Sequence, residues 1–139
     1  MAEPIGVASG LLALAAFSFK SSVSLHETVC SFRSHVPRVR DLAEELIALN
    51  GVLGSLNETV RAIPDLDVST LTLPLLRCGK ACKDFEEALL RCSSRSSEKR
   101  TSFRDWAKLV YMGEDIDGFR RLLNGYKLTI SIALTDVNL

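Results

Sequence analysis

Apolar residues return at alternating intervals of three and four along most of this chain, and that rhythm commits it to packed helices. Its clearest stretch is Val39, Leu42, Leu46, Leu49, Leu53, Leu56, Val60 and Ile63, a 3-4-3-4-3-4-3 series without a miss. A strand would need alternation with period two, whereas a helix of 3.6 residues per turn gathers these positions into one stripe. Such a stripe belongs to a long helix packed nearly parallel or antiparallel to others. Pro37 suits its first turn and Pro64 its end. Gly51 and Gly54 inside it cost about 1 kcal/mol each against alanine, so packing rather than propensity must hold it.

The same spacing recurs twice. Leu75, Cys78, Cys82, Phe85, Leu89 and Cys92 follow it, as do Ile116, Phe119, Leu123, Tyr126, Ile130, Ala133 and Val137. Residues 64–73 between the first two series read as a loop. Ser102 is a candidate N-cap with Asp105 three residues on, and Phe103, Trp106, Ala107 and Val110 make the apolar face of a short helix that Gly113 would stop. Glu114, Asp115 and Asp117 then suit the positive end of a fresh helix. The expected fold is all-α, an antiparallel helical bundle of four to five helices at about 4–34, 37–63, 74–92, 102–112 and 114–136. With 139 residues, 47% apolar, 24% charged and no net charge, the chain has the composition of one globular domain. It is neither a disordered tail nor a basic nucleic-acid binder. Its end on the last helix leads us to expect a domain cut from a longer protein.

The first helix raises a different problem. Ile5 to Phe19, IGVASGLLALAAFSF, carries no charge and includes Ile5, Val7, Leu11, Leu12, Leu14, Phe17 and Phe19. Each such side chain left in water costs roughly 1.5–3 kcal/mol, so the segment must be hidden by the rest of the chain, a partner or a membrane. A helix of this length reaches about 22 Å, short of the roughly 30 Å hydrocarbon core. Glu3 stands where a signal peptide would carry Lys or Arg. Gly6 and Gly10, four apart and extended by Ala13, form a small-residue ridge that permits close helix packing, in a soluble bundle or in lipid.

Chemistry is sparse. With no strands expected, there is no sheet to carry a phosphate loop or nucleophile elbow, and His-Glu-x-x-His is missing. The default compartment is the cytoplasm, with Cys30, Cys78, Cys82 and Cys92 reduced. Three of these thiols sit in a helical stripe, where cysteine acts as a small buried hydrophobe. Cys82 and Cys92 lie about 15 Å apart along such a helix, too far for a shared metal. His26 and Cys30 share a helical face, an incidental neighbour pair or a thiol–imidazole contact. Asp84, Glu86 and Glu87 beside Lys80, Lys83 and Arg91 read as solvated ion pairs. The chain is not expected to be an enzyme, and no metal or cofactor is expected. Residues 93–101, SSRSSEKRT, read as an interhelix loop. Arg91, Arg95, Lys99, Arg100 and Arg104 around it form either a solvated basic surface or a contact for anionic lipid headgroups, at about 1 kcal/mol per residue.

The opening MAEPIGVASGLLALA resembles the start of many fungal N-terminal domains of STAND (NOD-like receptor) proteins, the HeLo-like group. VRDLAEELIALNGVLGSL, LLRCGKACKDFEEALLRC and RDWAKLVYMGEDIDGFRRLLNGYKLTISIAL are similar to that family's successive helices in the same order. The resemblance implies an all-α effector domain ahead of a nucleotide-binding oligomerisation module. Such domains are thought to cluster, expose the apolar first helix and damage the plasma membrane in regulated cell death. It would give Glu3, Pro4, Ile5, Gly6, Val7, Gly10, Leu11, Leu12, Leu14 and Phe17 a role in membrane insertion and oligomerisation. Implied partners are further copies of the chain, membrane lipids and the downstream domain, with movement from cytoplasm to plasma membrane. The alternative is a soluble homotypic or autoinhibitory adaptor whose first helix stays in the core.

Overall fold

The computed structural model describes residues 3–31, 37–63, 66, 69–93 and 113–137. Among them are four α-helices and no strand: α1 (Glu3–Ser31), α2 (Pro37–Ala62), α3 (Thr72–Ser93) and α4 (Gly113–Val137), with a 3₁₀ turn at Ser69–Leu71 leading into α3. The all-α bundle expected from the periodicity is what forms. The expected fifth helix, 102–112, lies outside the described residues.

The apolar stripes become the core. In α2, Val39, Leu42, Leu46, Leu49, Leu53, Leu56 and Val60 are all buried. They meet Leu75, Cys78, Cys82 and Leu89 of α3 and Ile116, Phe119, Leu123 and Ile130 of α4. Ile63 departs from the series, being 41% exposed. The helix has ended at Ala62, because a residue before proline is steered out of helical backbone, and the Ile63 amide closes onto the Thr59 carbonyl at 3.0 Å.

Two boundaries differ from the sequence reading. Helix α3 starts at Thr72, inside the stretch expected to be a loop to residue 73. Pro74 is compatible with this, since first-turn amides have no intrahelical acceptor to lose. Gly113, expected to stop a preceding helix, is the first residue of α4.

Helix α1 packs against α2 and α3, α2 against α1 and α4, and α3 touches α4. Direction follows from the pairs that meet. Phe19 lies over Gly54 and Asn57 reaches Ala15, so α1 and α2 are antiparallel. Phe17 meets Gly79 and Ser24 meets Glu86, so α1 and α3 run parallel. Asp41 pairs with Arg120 and Glu45 with Lys127, so α2 and α4 also run parallel. Helices consecutive in the chain therefore alternate in direction, and they form a four-membered ring with two parallel edges, α1 beside α3 and α2 beside α4, in which α1 lies diagonally opposite α4.

Candidate functional site

The residues singled out for membrane insertion fall on the first half of α1, and the structure shows what receives Leu11, Leu12, Leu14 and Phe17. Leu11 is buried, Leu12 and Leu14 are partly buried against the core, and Phe17 is half-buried. The side chains of Glu3, Pro4, Ile5 and Val7, and the surroundings of Gly6, lie outside the described residues. Further along, Ala15, Ser18, Ser22 and Leu25 have no exposure at all. These four follow a 3-4-3 spacing that the sequence hides, because two members are serines.

Three contacts fasten this face. The Phe17 ring rests on Gly79 of α3 so closely that a β-carbon at that position would lie 2.5 Å from a ring carbon. Only glycine admits that approach without movement. The Ser18 hydroxyl donates to the Leu75 carbonyl of α3. The Asn57 amide nitrogen of α2 donates to the Ala15 carbonyl at 3.2 Å and to its own-helix Leu53 carbonyl at 3.0 Å. Apolar burial drives the helices together without direction, whereas these hydrogen bonds fix their register. The Ser22 hydroxyl is buried without a hydrogen-bond partner.

A fourth contact corrects the reading of the acidic cluster on α3. Glu86 does not stand as a solvated ion-pair member. Its carboxylate accepts from Ser24 at 2.7 and 3.0 Å and from Thr28 at 3.1 Å, tying α3 to the middle of α1. Parallel packing of the two helices aims residue 86 at α1, something a single-helix charge pattern does not reveal.

Of the two settings the sequence allows for the small-residue ridge, a soluble bundle or lipid, the bundle does not use it at its described positions. Gly10 is exposed, a β-carbon there would meet nothing within 4 Å, and Ala13 is exposed as well. The ridge faces outward at these positions instead of packing inside the bundle. Among the described residues, no helix is long and apolar enough to cross a membrane. Of the basic cluster, Arg91 is exposed near the end of α3, and Arg95, Lys99, Arg100 and Arg104 lie outside the described residues.

The cysteines divide by environment. Cys78 and Cys82 are free thiols with no exposure, and Cys30 is exposed. The adjoining Cys78 thiol, by hydrogen bond, and burial push the Cys82 thiol far above its ordinary value, so it stays protonated and a poor nucleophile. The Cys30 sulfur lies 3.5 Å from His26 Nε2, so the helical-face pair does meet, out in solvent. Among the described residues no three metal-binding side chains gather.

No curated protein and no solved structure matches the chain. A family model does, over residues 2–139, and its description is pigment biosynthesis cluster protein PigL, N-terminal. This agrees with the fungal N-terminal character read from the sequence and does not extend to the HeLo-like receptor assignment. With nearly its whole length matched, the chain belongs to the PigL N-terminal family.

Proposed function

We propose that this chain is an N-terminal helical assembly module that binds protein partners, copies of itself included, and that its apolar first helix stays permanently packed in the bundle. The observation that carries this reading is the position of α1 between α2 and α3, with Ala15, Ser18, Ser22 and Leu25 wholly buried. Fully burying a large aliphatic side chain is worth about 1.5–3 kcal/mol. A helix that surrendered Leu11, Leu25 and Val29 would therefore give up an amount comparable to the net stability of a whole domain. The module works in the cytoplasm, ahead of a nucleotide-binding domain of the same chain, as the HeLo-like resemblance implies. It carries no catalysis.

The competing reading, a cell-death effector that inserts α1 into the plasma membrane, needs the same helix to leave. Liposome leakage separates the two. We expect the intact chain to release no dye from anionic vesicles, and a chain lacking residues 1–19 to lose its helical circular dichroism. Leakage by the intact chain that vanishes on truncation, with helicity kept, would establish the effector instead.

A further inference from the structure

The outward face of α4, opposite its buried stripe, carries a strip of charged and apolar side chains. Arg121, Gly125, Leu128, Ile132 and Asp136 follow one another at intervals of four, three, four and four, and all are exposed. Leu128 and Ile132 are 52% and 63% exposed. The strip thus has a positive end, an apolar middle and a negative end, spread over about 22 Å of helix. We propose that a second copy of this chain docks on this strip, α4 against α4 in antiparallel orientation about a two-fold axis.

The register follows from the residues. A two-fold axis midway between Leu128 and Thr129 brings each position opposite the one equally far on the other side. Arg121 then faces Asp136 of the second copy, Ile132 faces Gly125, and the two Leu128 side chains meet near the axis. Every contact away from the axis occurs twice, as an isologous interface requires. Gly125 supplies a hole, since a β-carbon there would meet nothing within 4 Å. Ile132, the most exposed of the large hydrophobic side chains described, supplies the knob.

Charge supports the same pairing. The last turn of α4 holds Asp136 and no basic residue, so the negative end of the helix dipole meets a carboxylate of its own sign. An arginine from the second copy relieves that repulsion. Shifting the register by one turn would place Arg121 beside an uncharged residue and remove Ile132 from the glycine. One helix pair buries an area at the low end of specific interfaces, so the dimer is weak and becomes populated when the chains are concentrated.

This surface rests on the assembly reading above, and the test keeps the two apart. Sedimentation equilibrium of the 139-residue chain should show a reversible monomer–dimer equilibrium that loosens as salt is raised. Gly125→Gln fills the hole on an open helix surface and should abolish the dimer while circular dichroism keeps the fold. Arg121→Glu and Asp136→Arg should each weaken association about threefold to tenfold, as two symmetric exposed ion pairs allow. Combined, they should restore it to within about twofold. A monomer at every concentration overturns the surface, as does a dimer indifferent to Gly125→Gln or one not rescued by the charge swap. In those last two cases assembly itself stands, through another face. Dye release from vesicles would instead overturn the assembly reading.

Discussion

Glycine means three different things at three positions in this chain, and mutation separates them. Gly79→Ala forces a β-carbon into the Phe17 ring, and overpacking of this kind costs about 1–3 kcal/mol. Urea denaturation should show that loss, and Phe17→Ala in the same chain should remove most of the further penalty of the alanine, a coupling that a mere propensity effect would not give. Gly51→Ala points the other way. A β-carbon there meets nothing within 4 Å, so it should raise stability by about 0.5–1 kcal/mol through helix propensity and a less free unfolded chain. Gly54 sits between, its β-carbon position 3.6 Å from Phe19, an ordinary contact that alanine would fill. Ser22→Ala should be neutral or stabilising by up to about 1 kcal/mol, since the hydroxyl it removes is buried without a partner. A drop in the denaturation midpoint would contradict that.

The helices were the legible part of the sequence, because a 3-4 rhythm in leucine, valine and isoleucine reports burial directly. The series on α2 is buried from Val39 to Val60. Helix α1 was less legible for a specific reason. Its apolar residues go nearly all round, and two of its most buried positions, Ser18 and Ser22, are polar by type. Their burial depends on which neighbour lies above them, and one helix says nothing of that. Glu86 was missed on the same ground, since its partners lie more than fifty positions away on α1. Cys78 and Cys82 of α3 were legible, with consequences that can be measured, whereas the side chain of Cys92 lies outside the described residues. At pH 8, iodoacetamide should modify exposed Cys30 while Cys78 and Cys82 stay intact until the protein unfolds. Because the folded state holds the Cys82 proton to higher pH, the unfolded chain binds fewer protons above the ordinary thiol value of 9.0. Stability is therefore complete below that pH and falls as pH rises past it. Urea midpoints that climb between pH 9 and 10 would contradict the assignment.

The whole molecule depends on one helix being shared by two others. Helices α2 and α4 are joined by Lys127 and Glu45 at 3.0 Å, and α3 and α4 by the stacked rings of Phe85 and Phe119, 4.2 Å apart. Helix α1 closes the ring from the opposite corner, and without it the inner faces of α2 and α3 would both open to water. Native-state hydrogen exchange reads this most directly, because it measures the free energy at which each helix opens. If α1 is a permanent member of the bundle, the amides of residues 15–29 should exchange only through the same global opening as those of residues 42–56, with anionic vesicles present or absent. Exchange of α1 at a distinctly lower free energy, while α2 stays protected, would show a helix free to leave and would contradict the account.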